Sequence, residues 1–93
     1  MANNLHISYT LYTPGQDYPE IIQKIQTLGR WAKIHPSFWY VNSTLTAKQA
    51  LDALRPTIDS NDSLYVVDAT NNMAVWYNLP DDVQDQIRRN WNL

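Results

Sequence analysis

Four side chains with hydroxyl or imidazole groups alternate with apolar residues near the N-terminus: His6, Ser8, Thr10 and Tyr12. Histidine exchanges protons near neutral pH, so His6 could act as a general acid or base or bind a phosphate group. Ser8 would need an activating base and a third, orienting group to become a nucleophile, and no acidic partner is evident for it. The pattern therefore favours ligand binding, or packing at a dimer interface, over hydrolysis.

The alternation predicts a β-strand over residues 5–12, because successive strand side chains point to opposite faces of a sheet. The polar residues then share one face. Pro14 and Gly15 follow as a turn signal that ends the strand. The opposite face of the strand is apolar and should join the core; it carries Leu5, Ile7, Tyr9 and Leu11.

The composition indicates one folded domain. The chain has 93 residues, 44% of them hydrophobic, with one Phe, four Trp and six Tyr, whereas disordered chains have low hydrophobicity and high net charge. The net charge of −2 provides no overall field to attract nucleic acid. The absence of cysteine excludes disulfides and thiolate chemistry. No stretch resembles a membrane span or a signal peptide, so we expect a soluble, cytoplasmic protein without membrane association.

Helix and strand signals alternate along the rest of the chain. Asp17 is a side-chain N-cap for a helix that starts directly after it and stops at Gly29. Thr46 and Gln49 form a capping box for a second helix, which Pro56 should kink or shorten. The other predicted elements are β-rich runs over 30–35 and 38–43, strands over 64–70 and 73–77, and a helix over 80–91.

This order of elements predicts an α+β, ferredoxin-like (split βαβ) fold. We expect a single domain over 1–93, with a core of about 5–70 and a C-terminal strand and helix at about 73–91. Two helices should cover one face of an antiparallel sheet and leave the other face bare. Because soluble monomers rarely expose large apolar patches, a second subunit, a ligand or the C-terminal helix should cover that face.

The bare face supplies the candidate sites. Aromatic side chains on an open sheet stack bases in several RNA-binding modules, but basic residues are few here, so a nucleotide suits this face better than a polynucleotide. No cofactor is expected. The residues expected to bind a ligand are His6, Ser8, Thr10, Tyr12, Tyr40 and Tyr65. Those expected to contact a partner or a second subunit are Phe38, Met73, Val75, Trp76, Tyr77, Val83, Ile87 and Trp91.

Four short motifs lie at the ends of predicted elements: SYTL at 8–11, PGQDY at 14–18, the 29–41 segment ending in SFWYV, and IDSNDSL at 58–64. With this spacing, most of residues 5–70 resembles the SinR-like relatives of the VapD and CRISPR-associated adaptation ribonuclease superfamily. The resemblance implies a ferredoxin-like protomer that forms a homodimer through the open sheet faces, with terminal strands lying across the partner's sheet. Such a dimer would cover the aromatic face.

In the nuclease members of that superfamily the first strand ends in Tyr-Asp, and the two aspartates of a dimer could hold a divalent metal. Thr10 stands at the matching position here, and a neutral hydroxyl is a poor ligand for Mg²⁺. Asp17 and Asp68 have structural explanations, as an N-cap and a strand-end residue. The resemblance thus implies a non-catalytic homodimer that binds a nucleotide, a nucleic acid or a protein partner. The alternatives are a metal-dependent endoribonuclease using Mg²⁺ and an interaction or inhibitor module of a mobile element.

Overall fold

The computed structural model describes residues 2–12 and 19–91. The turn expected at Pro14 and Gly15 and the N-cap expected at Asp17 lie outside these residues. The elements are β1 (Asn3–Thr10), α1 (Pro19–Thr27), β2 (Gly29–His35), β3 (Phe38–Ser43), α2 (Ala47–Leu54), a 3-10 turn (Arg55–Thr57), β4 (Ser63–Asp68) and α3 (Asp81–Asn90).

The four strands form one antiparallel sheet in the order β2-β3-β1-β4. Strand β1 lies inside the sheet, with Ile7 opposite both Trp39 of β3 and Val66 of β4. The predicted α+β class and antiparallel sheet are confirmed. Because β1 begins and ends two residues earlier than predicted, Tyr12 lies outside it, and the Tyr12 backbone N–H donates to Asp62 Oδ1 at 2.8 Å.

Helices α1 and α2 cover one side of the sheet, called the first face. Helix α2 begins at the predicted capping box: the Gln49 backbone N–H donates to Thr46 Oγ1 at 3.1 Å, and the Thr46 backbone N–H donates to Gln49 Oε1 at 2.9 Å. The helix ends at Leu54 and Pro56 lies in the 3-10 turn, so the predicted shortening is confirmed. The buried core of the first face consists of Ile7, Tyr9, Ile21, Ile25, Trp39, Val41 and Leu54.

Gly29, the predicted stop of the first helix, instead begins β2, because α1 already ends at Thr27. A Cβ atom on Gly29 would clash with the carbonyl oxygen of Asn42 on β3. The glycine is therefore needed for the close approach of two strands, and the helix ends without it.

The opposite side of the sheet, the second face, is covered over β2 and β3 by helix α3. Ile87 of α3 is 3% exposed and packs with Ala32 of β2 and Tyr40 of β3. The helix has Asp81 and Asp82 in its first turn and arginines in its last, as its macrodipole favours. The expectation that this face is bare is therefore corrected, and of the three expected coverings the structure shows the C-terminal helix.

The strand predicted over 73–77 is wrong. The turn before it forms, since the Asn72 backbone N–H donates to the Ala69 carbonyl at 3.1 Å, but no residue from 73 to 77 belongs to a strand. The segment instead places Ala74 and Trp76 against the second face. Its alternation resembles that of a strand because one side faces an apolar surface, and this burial does not require pairing with β4.

Candidate functional site

The largest concentration of aromatic and imidazole groups in the described residues lies between the second face and α3. Strand alternation directs His6 of β1 and both Phe38 and Tyr40 of β3 to this side, since His6 lies opposite Tyr40 in the sheet. Helix α3 closes over them and contributes Trp91 just beyond its end. These four residues form the aromatic cluster.

His6 lies at the centre of the aromatic cluster. Its ring centroid is 5.5 Å from that of Phe38, 5.7 Å from that of Trp91 and 6.1 Å from that of Tyr40. Burial among these rings lowers the pKa of His6 below its ordinary value of 6.5, because desolvation penalises the charged imidazolium. His6 is therefore a neutral imidazole at pH 7, with one donor and one acceptor nitrogen.

The described residues leave the His6 nitrogens open to the cavity or solvent. None of them forms a hydrogen bond with the His6 ring, and no buried side-chain nitrogen or oxygen among them lacks a partner. An unpaired nitrogen must therefore be reachable by water or a ligand. In the aromatic cluster, His6 is the side chain that can still donate and accept.

The polar atoms of Tyr40 and Trp91 are already used within the chain. The Tyr40 hydroxyl donates to Asn4 Oδ1 at 3.0 Å, and Trp91 Nε1 donates to the Asn72 carbonyl at 2.9 Å. Burial also raises the pKa of Tyr40 to about 12, so its hydroxyl stays protonated in the physiological range. Both rings therefore present apolar surface to the space beside His6, and their polar ends fix their positions.

A cavity of about 270 Å³ opens beside this cluster. None of its described lining residues is Lys, Arg, Asp or Glu, so its polar recognition comes from two imidazoles, hydroxyl and indole groups, and backbone. The volume lies just below the range of typical drug-sized sites, about 300 to 1,000 Å³. The lining consists of His6, Ile34, His35, Phe38, Tyr40, Ala74, Val75, Trp76, Tyr77, Leu79, Ile87 and Trp91.

The two sets of residues predicted from sequence divide differently in the structure. Of the predicted ligand-binding residues, His6 and Tyr40 line the cavity, whereas Ser8, Thr10, Tyr12 and Tyr65 do not. Of the predicted interface residues, six line the cavity, and four of these pack within the same chain, whereas the side chains of Val75 and Tyr77 are largely exposed. The four that pack are Phe38, Trp76, Ile87 and Trp91. Val83 also packs within the chain, against the second-face cluster.

Outward-pointing side chains of the 73–77 segment form a separate apolar strip. Met73, Val75 and Tyr77 are 85%, 84% and 93% exposed. The segment packs against the second face through Ala74 and Trp76. Val75 and Tyr77 also line the cavity but expose most of their surface to solvent. Alternate side chains of the segment therefore have different environments: Ala74 and Trp76 are half-buried, whereas the others are exposed. The sequence pattern alone does not show which set is buried.

Thr10 lies exposed at the end of β1, opposite Ser63 of β4. The neighbouring Asp62 carboxylate accepts from the backbone N–H groups of Tyr12 and Asp59, which fixes the loop before β4. Across 2–12 and 19–91, the structure contains no group of three His, Asp or Glu side chains that could hold a metal ion. Asp68 accepts from the Thr70 backbone N–H at 3.0 Å and so closes the turn after β4.

His35 also lines the cavity, although the sequence pattern did not predict it as a site residue. A register shift between Lys33 and His35 lets His35 lie opposite Phe38, with their ring centroids 6.4 Å apart. Strict alternation from Ile34 would have assigned His35 to the other face. No residue pattern predicts this bulge, which brings the second imidazole to the cavity.

Comparisons of the chain with family models, with curated proteins and with solved structures find no significant match. Among its described helices, none has the length and apolar character needed to cross a membrane.

Proposed function

We propose that this protein is a non-catalytic binding protein whose cavity takes a small, uncharged, planar heterocycle, such as the base of a nucleoside or nucleotide. The observation that carries this proposal is a cavity with aromatic walls, two histidines and no charged side chain among its described lining residues. Burying a charged group there would cost several kcal/mol without a partner. A neutral ring can enter this cavity without the cost of removing a charge from water.

The walls suit a planar ligand because aromatic faces bind other rings by stacking. Phe38 and the two indoles of Trp76 and Trp91 line the cavity, and stacking of a base on an aromatic side chain contributes about 1 to 3 kcal/mol. The volume accommodates a base more readily than an intact dinucleotide. A phosphate attached to the ligand would have to remain outside the uncharged cavity.

Specificity would come from His6. A neutral imidazole offers one N–H donor and one acceptor nitrogen, which complement the alternating donors and acceptors along the edge of a nucleobase. Its burial keeps it neutral and the surrounding rings fix its orientation. The ring therefore provides directional recognition within an otherwise apolar site.

The proposal includes a ferredoxin-like classification and a place among the SinR-like relatives of the VapD and CRISPR-associated adaptation ribonuclease superfamily. The order β2-β3-β1-β4, with α1 and α2 on one face, supports the ferredoxin-like part. The superfamily part is supported by the sequence motifs alone. A homodimer through the second face would have to accommodate α3, which lies over β2 and β3.

A binding titration tests the proposed ligand class. Trp76 and Trp91 line the cavity, so a stacked base should quench or shift their fluorescence. The four nucleobases, their nucleosides and the corresponding monophosphates would be titrated at neutral pH, with isothermal calorimetry as the second readout. We expect bases and nucleosides to bind and the monophosphates to bind no more tightly than the nucleosides.

Filling the cavity provides the decisive variant. Ala74→Phe places a ring in the space and should weaken binding at least about tenfold, which corresponds to 1.4 kcal/mol. Met73→Phe is the matched control, because Met73 lies next in the chain but is 85% exposed outside the cavity lining. If no base or nucleoside binds, or if Ala74→Phe and Met73→Phe bind equally well, the proposal is wrong.

A further inference from the structure

The two edges of the sheet differ in how they are protected from pairing with another strand. Strand β2 at one edge carries the exposed Arg30 and Lys33 and has a register shift between Lys33 and His35. Charged side chains and bulges are the usual devices by which edge strands avoid intermolecular pairing. Helix α3 covers the second face of β2. The charges and the register shift disfavour the addition of a further strand to this edge.

Strand β4 at the opposite edge has no register shift, and its one charged residue, Asp68, lies at its very end. It pairs with β1 without interruption from Ser63 to Asp68, and it contains no Lys, Arg or Pro. Its centre is Leu64-Tyr65-Val66-Val67, with Tyr65 69% exposed on the second face. Within the described part of the chain, no strand pairs with its outer edge. Such an edge is a template for β-strand addition.

We propose that β4 pairs antiparallel with β4 of a second copy of this chain, so that two four-stranded sheets join into one continuous sheet. A two-fold axis perpendicular to the sheet makes this contact self-complementary, as homodimer symmetry requires. In that arrangement each residue lies opposite a partner residue on the same face of the sheet, so the two-fold axis passes beside one residue, which lies opposite its own copy. The two middle residues of β4 are Tyr65 and Val66, and the axis can pass beside either of them.

Charge selects the register centred on Val66. With Tyr65 at the centre, Asp68 would lie opposite the partner's Asp62, and like charges directly opposite are unfavourable. With Val66 at the centre, Asp68 lies opposite the partner's Leu64, and Tyr65 lies opposite the partner's Val67. The exposed Tyr65 ring is then covered by an apolar side chain of the partner.

This register also brings opposite charges together at both ends of the contact. Arg55 is exposed and shares a surface groove on the first face with Leu64, Asp59 and Asp62. The Asp62 carboxylate already accepts from two backbone N–H groups, whereas the Arg55 guanidinium extends from an exposed position. Arg55 takes part in neither of the two ion pairs found in the described residues. Asp68 points to the same face, since it lies opposite Leu5. The Asp68 carboxylate of one copy therefore meets the Arg55 guanidinium of the other, and symmetry makes two such pairs.

Sedimentation equilibrium and light scattering at sub-millimolar concentration test the proposal. We expect a mass of twice 10.8 kDa for the unaltered chain. Tyr65→Lys adds a charge to the edge strand and should weaken the dimer at least about tenfold. Tyr77→Lys is the matched control, because Tyr77 is 93% exposed and lies outside β4; it should leave the dimer intact.

A charge exchange tests the register itself. Arg55→Glu and Asp68→Lys should each weaken the dimer, because each places like charges together, and the double variant should restore it. Circular dichroism would confirm that every variant is folded. A monomeric unaltered chain, an unaffected Tyr65→Lys dimer, or a double variant no stronger than the weaker single variant would overturn the proposal.

Discussion

The two faces of the sheet are buried by different numbers of helices: two on the first face and one on the second. On the first face, two helices contribute Ile21, Ile25 and Leu54, all of which are fully buried. On the second face, one helix contributes a single fully packed residue, Ile87, and aromatic rings fill much of the remaining space. These rigid rings span the space between the sheet and α3 but do not fill it completely, and the cavity remains. The difference shows how a sparsely covered face can be stable and still retain a cavity.

The largest difference between the faces should be seen on truncating an isoleucine. Ile25→Ala removes a side chain that is fully buried in the first-face core and should cost about 2 to 5 kcal/mol of unfolding free energy. The same change at Ile87 should cost less, because a site beside a cavity and a single helix can relax more easily.

Urea denaturation of the two variants and the unaltered chain measures this difference through the transition midpoints at constant slope. Because the chemical change is identical, the comparison isolates the surroundings of the side chain. If Ile87→Ala destabilises the chain as much as Ile25→Ala, the second face is packed as tightly as the first and the proposed distinction fails.

A smaller effect should follow from removing the indole N–H that fixes Trp91. Trp91→Phe retains a ring beside His6 but loses the hydrogen bond from Nε1 to the Asn72 carbonyl. We expect a loss of about 1 kcal/mol in unfolding free energy, the usual net contribution of one hydrogen bond. The cavity wall should become more mobile, because the bond connects the end of α3 to the turn after β4.

Trp31→Phe serves as the control for this prediction. Trp31 is 40% exposed on β2, and no hydrogen bond from its indole is found in the described residues. Its replacement should change the stability by less than about 0.5 kcal/mol. Equal losses for the two variants would mean that the Trp91 hydrogen bond contributes nothing specific to the second face.

The sequence predicted the four strands of the sheet, the inward side chains of β1 and the capping box of α2, because these depend on short patterns read within one element. Alternation around Ile7 identified the core side of β1, and Thr46 with Gln49 located the start of α2. Each of these features is specified by local spacing. Tertiary packing agreed with the local preference in all of them.

The site was only partly predicted, because its parts come together through contacts that no local pattern specifies. Phe38 and Trp91 were assigned to a partner or dimer interface, because the sequence could not choose among a second subunit, a ligand and the C-terminal helix as the covering of the open face. The structure places that helix over the face, with both rings packed against His6. His35 depended on a bulge, and the 73–77 segment had a strand-like pattern without a strand to pair with.

The smallest effect concerns the pH dependence that His6 gives to the second face. Its pKa is lowered in the folded chain from the ordinary value of 6.5 by burial, so the unfolded chain binds the proton more readily. Stability should therefore be constant with respect to this group above the unfolded pKa and decline as the pH falls below it. His6→Gln removes the titration and should make the urea midpoint less sensitive to pH between about 7.5 and 5.5. Identical pH profiles for His6→Gln and the unaltered chain would show that protonation of this imidazole is not penalised, and the second face would then be as well solvated at His6 as an open surface.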